Sequence, residues 1–261
     1  MKLNRYLLGS TLVAALGGFL FGFDTIVIQG TVGALEKVFG LGETAFGLPK
    51  FWLGFTVASA LIGTVVGSLA AGKPADILGR RATLKIIAVI YLFSALGCLL
   101  PLGQSRFGWY WLVFFRFVGG LGVGGASVVS PLYIAEISPA RMRGRLVALQ
   151  QFNVVLGVLV AVISNYVIRQ HFNGPDDWQF TWRYMLGVMA VPAALFFLLL
   201  FATPQSPRWL VAKGRSDEAR TVLASLGTDT GDVDEEVRAI QESLAMDHHR
   251  VEEPFFRRQY L

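Results

Sequence analysis

Apolar residues fill most of the first 200 positions in six blocks, and short stretches with charged or turn-forming residues separate the blocks. A helix needs about 20 apolar residues to cross a hydrocarbon core of about 30 Å. The pattern therefore predicts six membrane-spanning helices, at Tyr6–Gly30, Phe51–Ala71, Thr83–Leu102, Trp109–Tyr133, Leu146–Ile168 and Trp182–Ala202. A large soluble protein with six buried helices is the alternative, and the length of the runs and the short links between them disfavour it.

The pattern changes after residue 204. Charged residues become frequent, and apolar residues recur at helical spacing in SPRWLVAKGRSDEARTVLASL and again in DVDEEVRAIQESL. We therefore divide the chain into a six-helix transmembrane half, 1–204, and a segment of short cytoplasmic amphipathic helices and linker, 205–261. A disordered tail over 228–261 is the alternative for the last part.

Composition supports a membrane protein. Hydrophobic residues make up 54% of the chain, charged residues 16%, and the mean hydropathy is +0.54, whereas a soluble domain carries about 25% charged residues. The net charge of +5 fits basic loops at a membrane surface, so we expect no nucleic-acid partner. Lysine and arginine are concentrated in alternate loops, which predicts a multi-pass protein of the cell membrane with both termini in the cytoplasm.

One short pattern suggests a cofactor. Gly120, Gly122 and Gly125 spell G-x-G-x-x-G, the dinucleotide-binding fingerprint, which needs a strand before it and water around the phosphates. The surrounding run, 109–133, is apolar throughout and is expected to be one helix. In such a helix Gly120 and Gly124 share a face and allow a neighbouring backbone to approach, as do Ser59, Gly63, Gly67 and Ala71 in the second span. We therefore expect no cofactor.

Two ionisable residues fall at membrane depth, where charges are costly and usually functional: Asp24 in the first span and Arg116 in the fourth. A rise of about 1.5 Å per residue places both in the outer half at similar height. A nearby guanidinium favours the charged form of a carboxyl group and burial favours the neutral form, so separating the pair would load a proton and re-forming it would release one. A static ion pair between two helices is the alternative.

Polar amides are the candidate substrate groups within the spans, because an amide both donates and accepts hydrogen bonds. The fifth span carries Gln150, Gln151, Asn153 and Asn165. Bonds between helices are an equally simple role for them. The histidines, His171, His248 and His249, have no metal-ligand spacing, and no nucleophile–base arrangement is evident, so we expect neither a metal site nor an enzyme.

Five segments together resemble the N-terminal six-helix half of the sugar porters, a family of the major facilitator superfamily. They are FGFDTIVIQG (21–30), GKPADILGRR (72–81), RFVGG (116–120), PLYIAEISPARMRG (131–144) and PQSPRWL (204–210). The resemblance implies an all-α membrane fold in which six transmembrane helices form two inverted three-helix repeats. It also implies that Asp24 and Arg116 are the proton-coupling pair of a symporter.

Further roles follow from the same resemblance. Gln151 matches a glutamine that binds the sugar, Phe21 matches an aromatic residue that covers it, and Val158 stands where some pentose-specific members have another glutamine. A cytoplasmic ion-pair network that stabilises the outward-facing state is implied for Asp76, Arg80, Arg81, Glu136, Arg143 and Arg208. Gln205 departs from the pattern, because glutamate is common there and its charge is missing from this network.

The resemblance covers only one half of a transporter. Alternating access needs two halves that rock about a shared site, so we expect a second six-helix half as partner and no transport by this chain alone. The expected substrates are a monosaccharide and a proton, with the lipid bilayer as surroundings. The alternatives are a sugar facilitator of the same family, in which Asp24 is structural, and a non-transporting membrane protein that senses sugar or docks a partner through its tail.

Overall fold

A computed structural model describes residues 4–41, 51–100, 105–172, 174, 177–227 and 233–250, with side chains to 246. All regular structure in these ranges is helical. The helices are α1 (Arg5–Val27), α2 (Val32–Phe39), α3 (Phe51–Ala70), α4 (Gly72–Leu78), α5 (Arg80–Leu99), α6 (Arg106–Ile137), α7 (Arg143–His171), α8 (Trp178–Gly187), α9 (Ala190–Leu199), α10 (Pro207–Ala212), α11 (Ser216–Ser225) and α12 (Val233–Arg250). Turns of 3-10 helix follow α1 at Ile28–Gly30 and α9 at Leu200–Ala202.

Six of these segments within the described residues are long and apolar enough to cross a membrane. Their order and approximate bounds agree with the six predicted spans, although the fourth and fifth are longer than predicted. The sixth span is interrupted between α8 and α9. Pro192 explains the break, because it has no N–H for the carbonyl of Val188 and its ring crowds that carbonyl.

Glycines set the distance between α3 and α6. At four positions an added Cβ would collide with a backbone oxygen of the other helix: Gly63 with Phe117, Gly67 with Leu121, Gly120 with Ala60 and Gly124 with Thr64. The fingerprint-like glycines thus lie inside a continuous helix, α6, and allow two backbones to meet, as the spacing predicts. A dinucleotide loop is excluded because no strand precedes them in this part of the chain.

The same type of contact joins α1 to α7, where Gly22 faces the carbonyl of Val154 and Gly157 faces that of Phe19. The spans thus pair second with fourth and fifth with first. If spans one, two and three correspond to spans four, five and six, the pair of second and fourth spans corresponds to the pair of fifth and first spans. This recurrence is the packing expected of two inverted three-helix repeats.

The last three helices form a compact unit with its own apolar core, which includes Leu210, Ala219, Leu223 and Val237. Exposed Arg220 joins α11 to α12 by donating to Asp234 at 2.8 Å, and this hydrogen bond raises the pKa of its guanidinium. Residues Val233–Arg250 are helical, whereas the alternative from the sequence was a disordered tail over 228–261. Residues 228–232 and 251–261 lie outside the described residues.

Asn4 connects this unit to the first span. Its side-chain oxygen accepts from the backbone N–H of Tyr6 and caps α1, while its Nδ2 donates to the carbonyl of Ser225 at 2.7 Å. Gly227 adopts φ +94° directly beside it, and an added Cβ there would approach Asn4 to 3.1 Å. The start of α1 and the end of α11 are therefore held by one side chain.

Candidate coupling and substrate site

Asp24 and Arg116 form a buried ion pair between α1 and α6. One terminal nitrogen of Arg116 donates to Oδ1 of Asp24 at 2.7 Å and the other donates to Oδ2 at 3.3 Å. The side chain of Asp24 is only 7% exposed and that of Arg116 only 3%. Forked pairing of this kind is among the stronger charge-assisted contacts in proteins. The two residues singled out by depth in the sequence are thus direct partners.

Two further residues lie near the pair, and neither was predicted from the sequence to belong to this site. Tyr91 and Cys98 of α5 lie close enough to interact electrostatically with both charges, and both are buried. The Tyr91 hydroxyl donates to the sulfur of Met189 at 3.2 Å, which ties the third span to the sixth beside the ion pair. A tyrosine within an apolar span indicates a buried hydroxyl that needs a hydrogen-bond partner. The sequence alone did not show which residue that partner is.

The residues proposed to contact sugar lie on α1 and α7. Gln151 is exposed, whereas Phe21 and Val158 are partly buried. The two helices approach closely here, because a Cβ on Gly22, next to Phe21, would be 3.1 Å from the backbone nitrogen of Val158. Gln151 lies two helical turns from Val158 on the same side of α7. An exposed amide on this side of α7 can donate to and accept from a hydroxyl-rich ligand.

Two of the other predicted amides of α7 donate to backbone carbonyls, and the third is buried. Asn153 is buried and donates to the carbonyl of Leu149 within its own helix at 2.9 Å. Asn165 donates across helices to the carbonyl of Val27 at 3.2 Å, where α1 gives way to its 3-10 turn. Gln150 is buried, and its Oε1 has no partner among the described residues. Gln151 is therefore the amide of this set that is open to a ligand.

Charged residues also meet at the end of the bundle where α3 leads into α5, which we call the arginine-rich end. Arg80 binds Asp76 at 3.1 Å and Glu136 of α6 at 2.9 Å. Ser206 donates to the other oxygen of Glu136 and accepts from the backbone N–H of Trp209, which caps α10. Ser206 was missed in the sequence, although the motif around it was recognised. It links α6 to the segment that follows the sixth span.

The remaining members of the predicted network behave differently. Arg81 donates to the carbonyls of Leu200 and Phe201 at 3.1 and 2.6 Å, so it caps the end of the sixth span. Arg208 donates to Ser243 of α12 at 3.1 Å. Arg143 is exposed and forms no ion pair within the described residues. The structure therefore brings Asp76, Arg80 and Glu136 together and leaves the other three outside that cluster of ion pairs.

Gly79 and Trp209 connect the arginine-rich end to the tail. Gly79 has φ +90°, which residues with a Cβ rarely adopt, and an added Cβ would lie 3.0 Å from the Trp209 ring. The indole Nε1 donates to the carbonyl of Asp76 at 3.0 Å. Gln205 lies beside this contact, and its buried Oε1 has no partner in the described part of the chain.

Comparison with known proteins places this geometry in a family. Residues 10–261 match the family model described as "Sugar (and other) transporter". The chain belongs to the sugar porter family of the major facilitator superfamily. The resemblance drawn from the five motifs is thereby confirmed.

Individual relatives agree with this membership. The chain is 42% identical over 241 residues to the "Glucose transport protein" of Synechocystis, covering 90% of this chain and 48% of the relative. It is 41% identical over 266 residues to the "D-xylose-proton symporter" of Escherichia coli K12, covering 95% and 52%. The chain thus spans about half the length of these relatives. Their names describe transporters and not enzymes.

The sugar porter fold is also confirmed by solved structures. The partially occluded inward-open conformation of the xylose transporter XylE from E. coli matches with a TM-score of 0.86 and 39% identity, covering 94% of this chain and 60% of that one. XylE bound to 6-bromo-6-deoxy-D-glucose, described as a proton:xylose symporter, matches with the same TM-score and identity. The chain is therefore an all-α, multi-pass membrane protein with the fold of a sugar transporter.

Proposed function

We propose that this chain is the N-terminal half of a proton-coupled monosaccharide symporter that works by alternating access. The buried Asp24–Arg116 pair carries the proposal. A carboxylate at membrane depth is tolerated while the guanidinium binds it, and it favours protonation once that partner leaves. A shift of α1 relative to α6 during the transport cycle would separate and re-form the pair. The symporter named among the relatives supports the same assignment.

In this proposal Gln151 donates to and accepts from sugar hydroxyls, while Phe21 and Val158 supply the apolar surface against which the sugar ring packs. Asp76, Arg80, Arg81, Glu136, Arg143 and Arg208 act at the cytoplasmic side as a latch for the outward-facing state. Residues 1–204 form the transmembrane half, residues 205–261 lead toward a second half, and both termini lie in the cytoplasm. The second half completes the sugar site, so the chain by itself does not transport.

Transport assays test both parts of this proposal. Proteoliposomes that contain the chain alone are expected to show no sugar accumulation in a proton gradient. Fusion to the C-terminal half of the E. coli D-xylose–proton symporter is expected to give accumulation. Accumulation by the chain alone would contradict the half-transporter assignment.

Asp24→Asn in the fused protein separates a symporter from a facilitator. A symporter is expected to lose accumulation against a gradient and to keep sugar exchange, because the amide cannot carry the proton. A facilitator would keep both rates near those of the unsubstituted protein. Glu36→Gln on α2 is the matched control, since it removes a carboxylate that is not paired with Arg116.

A further inference from the structure

A cavity of about 890 Å³ lies at the arginine-rich end, between the end of α6, the start of α7 and helices α11 and α12. Small-molecule sites commonly have volumes of about 300–1,000 Å³. The charged residues that line the cavity are Arg80, Glu136, Arg141, Arg143, Arg208 and Glu236. The cavity is thus large enough for a small organic ligand and carries charges on its wall.

These charges do not balance. Arg80 already binds the two carboxylates of Asp76 and Glu136, so its positive charge is fully compensated. Arg208 has partners of its own, among them Ser243 of α12, and the rest of the charged lining is Arg141, Arg143 and the single carboxylate of Glu236. Arg141 and Arg143 are exposed to solvent and form no ion pair with any described residue. These two guanidinium groups make their part of the cavity attractive to an anion.

The chemistry of arginine narrows the type of anion. Its planar donors match the oxygens of phosphate and carboxylate groups and can bind two of them at once. The lining also includes the apolar side chains of Leu132, Ile137, Leu223, Leu226 and Ile240. A ligand that fills the cavity therefore needs an anionic end and an apolar or flat organic portion.

We propose that this cavity binds a phosphate group carried on an apolar or ring-shaped organic portion, with Arg141 and Arg143 as the main phosphate ligands. A free phosphorylated metabolite and the headgroup of an anionic lipid share this chemistry. Helices α11 and α12 form one side of the cavity, so the ligand bridges the transmembrane bundle and the tail. The inference is independent of proton coupling at Asp24.

Calorimetry on the 261-residue chain in phosphate-free detergent tests the soluble source. ADP is the probe with a ring, and pyrophosphate is the probe without one. ADP is expected to bind more tightly than pyrophosphate, because only ADP reaches the apolar side chains of the lining. Combined Arg141→Gln and Arg143→Gln substitution is expected to weaken ADP binding about tenfold or more, as the loss of charge-assisted hydrogen bonds implies.

Nanodiscs test the lipid source. The chain in discs of phosphatidylcholine is compared with the chain in discs that also contain phosphatidylglycerol, and the measured quantity is the unfolding temperature. Phosphatidylglycerol is expected to raise this temperature for the unsubstituted chain and not for the double glutamine variant if the lipid is the ligand. Arg145→Gln is the matched control for both arms, because Arg145 is an exposed arginine on the same helix that is absent from the cavity lining.

Binding of either source that depends on Arg141 and Arg143, and not on Arg145, supports the proposal and identifies the source. Absence of binding by both ADP and phosphatidylglycerol would overturn it. Equal loss in the control variant would overturn it too, because it would show a general charge effect. Both substituted arginines are exposed, so the variants are expected to fold. Circular dichroism checks this.

Discussion

The two terminal nitrogens of Arg116 each donate to a different carboxylate oxygen of Asp24, while its Nε has no partner among the described residues. The guanidinium is therefore held at its tip alone. Both bonds depend on the same relative position of α1 and α6, so a shift between these helices breaks them together. The two hydrogen bonds of the pair are therefore expected to form together and to break together.

Removing one member of the pair should destabilise the protein strongly. Arg116→Met leaves the Asp24 carboxylate buried without a partner, which costs about 3–5 kcal/mol of unfolding free energy. Adding Asp24→Asn to that variant removes the buried charge and is expected to recover most of the loss. Denaturant unfolding in detergent measures both variants, and additive losses in the double variant would argue against direct coupling.

The glycine contacts predict a difference between two substitutions of the same kind. Gly124→Ala places a methyl group against the carbonyl of Thr64, so α3 and α6 must separate, at a cost of about 1–3 kcal/mol. Gly54→Ala on α3 meets nothing within 4 Å and is expected to be neutral or stabilising. Thermal unfolding of the two variants provides the comparison, and equal effects would mean that the close approach of the two helices does not depend on glycine.

Ser206 should matter more than its small size suggests. Ser206→Ala removes the cap of α10 and the hydrogen bond to Glu136 and is expected to cost about 1–2 kcal/mol. Ser68→Ala is the control, because Ser68 is only partly buried and its side chain bonds within its own helix. Loss of stability limited to the tail would appear as faster amide hydrogen exchange in α10–α12. No change in that exchange would show that the link from α6 to the tail is not maintained by Ser206.

Gln205 should tolerate loss of its polarity. Its Oε1 is buried without a partner in the described residues, so Gln205→Leu removes a polar group that gains little from the fold. The expected change in unfolding free energy is within about 0.5 kcal/mol, or stabilising, since replacing an unsatisfied group is nearly neutral. A clear destabilisation in a thermal melt would indicate that the amide has a partner in solution.

The contacts between distant residues that could be predicted are those that follow from the regular geometry of a helix. The rise per residue placed Asp24 and Arg116 at the same depth, and the four-residue spacing of Gly120 and Gly124 predicted a close helix contact. Both arguments need only that an apolar run forms a straight helix. The six spans follow from the same rule, because hydrocarbon leaves the backbone few alternatives.

The contacts that escaped prediction involve residues without a periodic relationship. Ser206 meets Glu136 across 70 positions, and Tyr91 meets Met189 across 98. Rotation of each helix about its axis decides such pairs, and a single sequence does not specify that rotation. The break before Pro192 could have been anticipated from proline chemistry, because its missing N–H falls within an apolar span.

Asn4 has a mechanical consequence. This one short side chain caps the first turn of α1 and also donates to the carbonyl of Ser225, the last residue of α11. Turning or tilting of the first span would therefore pull the tail with it, and dislodging the tail would fray the first span. Movements of the helix that carries Asp24 and of the helices that follow residue 204 are thus coupled through Asn4.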